Sequence, residues 1–374
     1  MEHSTNHINK LTWLRGIAAF VVIISHINRA TEVSYTNSDE PSQALFLSIL
    51  DLGTFGVMLF FTLSGCTLYI SNRNISSNND ILFFYLKRFM RIWPAFVVSL
   101  ALYIGFGFTF RAYYPQAQGL WIEPQYLTEY SLADVAQYLL LMFNLEGKSG
   151  LFNNAYWSLP VEFQFYLLFP LLIFLLRYVG IFGPVFVAGI LYYIARVDLI
   201  ALSSDKVFYL AFTFCGGVII GYVYYHKKIL VNKALGIVLL ALCFVSASLV
   251  THSHLIPSYL ILVDEFTTLG LISVATVFIV TVTVIELPSP ISRFLNWCGN
   301  ISYSTYLLHN LFISISILLI LRLELSGGSE RLALVLLITI PATYIASHYS
   351  YKAVESPGIK FAKLIEKSVR NRTK

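Results

Sequence analysis

Apolar residues along the chain gather into long runs separated by shorter polar segments. Runs close to the roughly 20 residues that a helix needs to cross a bilayer core lie at 12–29, 45–70, 92–110, 158–176, 181–195, 207–225, 235–251, 261–285, 300–320 and 332–352. They predict about ten transmembrane helices. The run at 181–195 is short and holds Gly183 and Pro184. A further apolar piece, VAQYLLLMFN at 135–144, is too short to span and is expected to be re-entrant or interfacial.

Composition agrees with that pattern. Of 374 residues, 57% are hydrophobic and only 12% charged, against the roughly 25% charged residues of a soluble domain, and the mean hydropathy is +0.71. The fold class is therefore an all-α integral membrane protein. Its 29 Phe and 24 Tyr suit lipid-facing surfaces and interfacial belts. A net charge of +5 bears on orientation in the bilayer, and no nucleic-acid partner is expected.

The four cysteines, Cys66, Cys215, Cys243 and Cys298, lie in or beside apolar segments without close pairing. Neither a disulfide framework nor a metal site is indicated. No small-residue cleavage site follows the first apolar run, so it is expected to stay as a membrane span. The expected organisation is one membrane domain over 1–374, with a core at about 10–355 and a basic cytoplasmic tail at 356–374, and no appended soluble domain.

Lysine and arginine placement sets the expected orientation. With a cytoplasmic N-terminus, 18 of the 25 lysines and arginines fall inside, leaving Arg29, Arg111, Lys148, Arg196, Lys206, Arg322 and Arg331 outside. Both termini are thus expected in the cytoplasm, in a multi-pass protein of the cell inner (plasma) membrane. One long outer segment, from Arg111 to Asn154, is rich in Tyr, Gln, Pro and Glu. Long loops tend to be functional, and this composition suits sugars, although a plain connector fits as well.

Four groups of residues carry candidate chemistry. Arg15 and His26 are eleven positions apart, about three full helical turns, so they share a face about 16 Å apart along the axis. An arginine at the cytoplasmic interface places the histidine near mid-bilayer; the plainer alternative is an interfacial arginine and a hydrogen-bonded histidine. In FFTLSGC and YLKRFMRIWPAF, a Ser64-Gly65 pair precedes Arg88 and Arg91, which are three apart on one helix face. That cluster suits phosphates or simple membrane anchoring. Pro94 is placed near the start of the next apolar run, where proline is tolerated.

The third group is NNAYWSLPVEFQFYLLFPLL, where Glu162 lies inside an apolar segment after Tyr156 and Trp157. An intramembrane carboxylate is by default a functional candidate, with a structural pairing as the alternative. The fourth is GNISYSTYLLHN, which sets His309 two to three turns into a helix. Asp51 and the Asp264-Glu265 pair read as structural or interfacial acids.

In order along nearly the whole chain, the Arg15–His26 spacing, FFTLSG, KRFMRIWP, WSLPVEFQFYLLFP, ISYSTYLLH and YKAVESP resemble the acyltransferase 3 family of membrane acyltransferases. The chain departs from that pattern at Phe163, where a second acid is common, at Cys66 and at Lys87. The resemblance implies transfer of an acyl group, most often acetyl, from cytoplasmic acetyl-CoA, a co-substrate and not a bound cofactor. The implied acceptor is a hydroxyl of a cell-envelope or exported polysaccharide, free or lipid-linked, such as O-antigen, capsule or exopolysaccharide. His26 and Glu162 would be catalytic, with His26 as general base or acyl carrier and Glu162 orienting it or the acceptor. Arg15, Arg88 and Arg91, with Ser64 and Gly65, would bind the CoA. Trp157, Ser158, Tyr303 and His309 would support substrate. A secondary transporter or flippase with buried His and Glu is the competing class, and it predicts inverted repeats that the sequence does not display.

Overall fold

The computed structural model describes residues 2–31, 51–113, 121–145, 148–197, 206–227, 229–252, 264–325 and 328–372. The start of the second apolar run (45–50), part of the outer segment (114–120 and 146–147) and the start of the run at 261–285 lie outside them. In chain order the helices are α1 (Glu2–Ala30), α2 (Gly53–Asn72), α3 (Asn78–Tyr113), α4 (Glu123–Tyr126), α5 (Leu132–Leu139), α6 (Ser158–Val179), α7 (Phe182–Arg196), α8 (Lys206–His226), α9 (Lys233–Thr251), α10 (Glu265–Val282), α11 (Ser289–Asn300), α12 (Ser302–Arg322), α13 (Gly328–Ser350) and α14 (Ser356–Arg372).

Among the described residues, nine helices are long and apolar enough to cross a membrane, and α7 is a shorter apolar helix. The protein is an all-α integral membrane protein. Hydrocarbon offers no hydrogen bonds to backbone groups, so each span must satisfy its own N–H and C=O groups as a helix.

The chain divides into two compact units. The first comprises Met1–Ser25, Ser34–Asn74 and Leu168–Ser302. Its packing rests on small residues that let backbones meet. A Cβ at Gly65 on α2 would lie 2.2 Å from the Phe214 carbonyl oxygen, and one at Gly217 on α8 would lie 2.0 Å from that of Thr62. Lipid tails are as apolar as leucine, so close van der Waals contact is what favours helix association in a membrane. Thr62 and Ser273 hydroxyls bond at 2.9 Å between α2 and α10. Gly299 does for α1 and α11 what Gly65 does for α2 and α8, with the Thr12 carbonyl oxygen 1.9 Å from its would-be Cβ. Asp264 caps α10 through the Thr267 amide at 2.9 Å and sits 3.5 Å from Arg196, the structural role expected of it.

The second unit comprises His26–Val33, Ile75–Leu167 and Tyr303–Lys374. Its core is aromatic, with Phe96, Tyr103, Tyr126, Tyr138, Phe143 and Tyr156 all buried. The outer segment is folded where it is described. Ser131 and Asp134 form a reciprocal cap at the start of α5, and Lys148 pairs with Asp134. The structure corrects the place of Pro94: α3 begins at Asn78 and the proline lies inside the helix. Its missing N–H leaves the Met90 carbonyl without its helical partner. Gly358 packs there, its would-be Cβ 2.4 Å from the Met90 oxygen. The segment read as a basic tail forms α14, tied to α3 by Lys87–Glu366 at 3.1 Å and Arg370–Asp80 at 2.6 Å.

Candidate active site

Helix α12 is the platform of the site. In ISYSTYLLHN, Tyr303, Tyr306 and Asn310 recur at steps of three and four and so form one stripe. Tyr303 donates to the Ile92 carbonyl of α3 at 3.0 Å. The Tyr306 hydroxyl donates to the Ala155 carbonyl at 2.6 Å and lies 2.7 Å from Ser158 Oγ. The Asn310 amide donates to Asn153 Oδ1 and Asn154 Oδ1, each at 2.7 Å. Asn153 in turn donates to the Leu307 carbonyl at 3.2 Å and accepts from the Ala155 amide at 2.9 Å. The turn that presents it follows Phe152, whose φ of 62° is in the left-handed region, a costly conformation for a side-chain-bearing residue that persists where surrounding contacts impose it.

On the adjoining face of α12, His309 is fully buried. Its Nε2 lies 2.7 Å from His26 Nδ1, and the rings stack with 5.0 Å between centroids and 7° between planes. The Trp121 ring lies 5.6 Å from His26. Proton positions follow from the carbonyl behind the pair. His309 Nδ1 is 3.2 Å from the Thr305 carbonyl oxygen, which only accepts, so this nitrogen carries the proton. A neutral His309 then presents a bare Nε2, and His26 Nδ1 must donate to it. That leaves His26 Nε2 unprotonated in the neutral pair, and the ring is only partly buried. An imidazole held in this tautomer can accept a proton or attack an electrophile. Asn310 Oδ1, buried and outside strict hydrogen-bond geometry, lies close enough to the same ring to accept from its protonated form.

Glu162 belongs to a different neighbourhood. It accepts a hydrogen bond from Tyr166, one turn along α6, and shares its surroundings with Arg91, Tyr303 and Tyr306. Of the two roles expected of Glu162, the one toward His26 has no hydrogen bond among the described residues: His26 meets His309 at 2.7 Å, and Asn310 is the other side chain set against its ring. Arg88 stands 6.0 Å from the Tyr166 ring centroid. The carboxylates nearest in effect to Arg91 are the buried Glu355 and then Glu162. Trp157 is half-buried at the end of the turn Asn154–Trp157 that leads into α6.

Arg15, Ser64 and Gly65 lie in the first unit. Arg15 donates to Thr67 Oγ1 at 2.6 Å across to α2. Gly65 is accounted for by its contact with α8, and Ser64 beside it is buried.

Sequence reasoning passed over Asn153, Asn154, Asn310 and Trp121. The signal was present in the doublet at 153–154 and in the asparagine next to His309, since buried amides need partners. Trp121 sits in the long outer segment, where no periodicity marks it.

A family model described as an acyltransferase domain matches residues 8–348. Nodulation protein 10 of Rhizobium leguminosarum bv. viciae is 28% identical over 187 residues, 46% of either chain. Acyltransferase MdmB of Streptomyces mycarofaciens is 30% identical over 163 residues, 43% of this chain and 38% of that protein. The matches thus span less than half the length of these relatives. No solved structure matches.

Proposed function

The chain belongs to the acyltransferase 3 family, and on that premise we propose that it transfers an acyl group, most simply acetyl, from cytoplasmic acyl-CoA to a hydroxyl of a cell-envelope or exported polysaccharide. The proposed setting is the inner membrane, with both termini cytoplasmic. The observation that supports the reading is the 2.7 Å bond between His26 and His309, which leaves Nε2 of the half-buried His26 unprotonated in the neutral pair.

In the direct route, His26 Nε2 takes the acceptor hydroxyl's proton as the oxygen attacks the thioester carbonyl. The carbon–sulfur bond then breaks and the CoA thiolate leaves with the proton. In the carrier route, Nε2 itself attacks the thioester and the thiolate departs; the hydroxyl oxygen later attacks the acyl carbon, the carbon–nitrogen bond breaks, and the hydroxyl proton passes to the freed Nε2 and on to the thiolate or water. His309 accepts the His26 Nδ1 proton's hydrogen bond in both routes and stabilises the cation formed in either. Arg88 and Arg91 are the proposed partners of the CoA phosphates. Trp157, Ser158 and Tyr303 support the walls, and Asn310 Oδ1 supplies an acceptor for a sugar hydroxyl.

The test is to express the wild type and His26→Ala at equal membrane levels and to measure acyl groups on the surface glycan by mass spectrometry. Loss of acylation is expected, and unchanged acylation removes His26 from the chemistry.

A further inference from the structure

Within the first unit, a cavity of about 340 Å³ opens at the ends of α2, α6 and α8. It is lined chiefly by Tyr69, Arg73, Arg177, Tyr222, Tyr225 and His226. Among the described residues, no carboxylate lines it. Neither arginine has an acidic partner among the described residues. Arg73 uses one N–H on the Ile70 carbonyl at 2.6 Å, and its guanidinium stacks 4.0 Å above the Tyr225 ring. Arg177 uses one N–H on the Arg73 carbonyl at 2.9 Å. Tyr69 OH and His226 Nε2 meet at 3.3 Å, and the Tyr222 ring packs on that imidazole.

Capping of helix ends would account for one donor on each guanidinium. A guanidinium has five. Four donors on each remain beyond those capping bonds, at a cavity whose other polar groups are phenols, an imidazole and an amide. Planar guanidinium forks match the oxygens of phosphate, and a volume near the lower end of small-molecule sites suits one phosphorylated group. Arg91 contrasts with this, since Glu355 and Glu162 already share its surroundings. Two guanidinium groups at an open cavity, with no acidic partner among the described residues, suit an anionic ligand.

We propose that this cavity is a phosphate-binding site, separate from the histidine pair, for a phosphate monoester, phosphodiester or diphosphate. Two sources carry that chemistry: an anionic lipid headgroup and the nucleotide part of a soluble donor. The inference stands on Arg73, Arg177 and the cavity, and does not require acyl transfer.

Purified full-length protein is titrated with inorganic pyrophosphate and with adenosine 3′,5′-bisphosphate at low and high salt. In parallel, protein extracted from vesicles of phosphatidylglycerol and phosphatidylcholine is examined by native mass spectrometry for retained lipid. A nucleotide source gives salt-sensitive bisphosphate binding that falls at least tenfold in Arg73→Gln/Arg177→Gln. A lipid source gives retention of phosphatidylglycerol over phosphatidylcholine that the same variant loses.

Both arginines also hold helix-end carbonyls, so Arg73→Lys/Arg177→Lys is included. It keeps the charge and removes the fork, and weaker binding by a folded Lys variant supports the site. Absence of phosphate or anionic-lipid binding by the wild type overturns the proposal without any variant, as does equal binding by wild type and a folded Gln variant. His26→Ala separates the two readings, because it is expected to bind phosphate as the wild type does while transferring no acyl group.

Discussion

His26 Nδ1 and His309 Nε2, brought together from α1 and α12, lie 2.7 Å apart with their rings nearly parallel. Residues 283 positions apart in the chain thus form one unit whose protons are ordered by the Thr305 carbonyl behind His309. In the proposed reaction His309 acts through His26, as a positioning residue.

Replacing His309 by Ala leaves the His26 Nδ1 proton without its buried acceptor, a loss of about 1–3 kcal/mol, equivalent to roughly a 5- to 150-fold fall in rate. The fall is expected in kcat, with KM for acyl-CoA little changed, and with a shifted pH–rate profile. His309→Gln, which restores an acceptor, should recover part of the activity. A KM effect alone would assign His309 to substrate binding.

Glu162→Gln should behave differently. The carboxylate accepts from Tyr166 and has no bond to His26, so its loss is expected to lower activity without moving the limb of the pH–rate profile that reports the histidine. Matching displacements of that limb in Glu162→Gln and His309→Ala would show that the acid and the imidazole titrate together, against the separation described above.

Gly217→Val tests the helix contact that the first unit depends on. Its added Cβ would start 2.0 Å from the Thr62 carbonyl oxygen, so α2 and α8 must separate. Overpacking of this kind costs about 1–3 kcal/mol or more. A lowered melting temperature in detergent is expected, while Gly105→Ala, with open space around its would-be Cβ, should melt like the wild type. Equal melting of both variants would contradict the close approach.

Acid should loosen the outer segment through Asp134. The Lys148 ammonium beside it and the bonds from Ser131 hold its carboxyl down, at about 2 against an ordinary 3.8. A depressed pKa means that the ionised form favours the folded state: its contribution is complete above about pH 4 and fades as pH falls through about 2. Amide exchange over 132–139, corrected for intrinsic rates, is expected to speed up across that window. Asp134→Asn should exchange faster at neutral pH and show none of this pH dependence; wild-type-like protection in the variant would remove the cap from the argument.

Sequence alone determined the parts of this protein that the bilayer imposes. Runs such as 12–29 and 207–225 had to be helices because hydrocarbon leaves no other way to satisfy a backbone, and Asp264, read as a structural or interfacial acid, caps α10. The ordered motifs around His26, Arg88, Glu162 and His309 were legible for the same reason, since polar side chains are rare enough in such runs to stand out. Tertiary structure alone decided which of them meet. Helical spacing relates residues on one helix and says nothing of the neighbour across the gap, so the sequence left Glu162 to orient either His26 or the acceptor and did not show that His309 meets His26. Pro94 looked like a helix start because its run begins at 92, whereas the polar turns from Asn78 onward are held as helix by packing against α14. Asn153, Asn154 and Asn310 escaped notice because a buried amide announces itself only through its partners, and those partners converge from segments more than 150 residues apart.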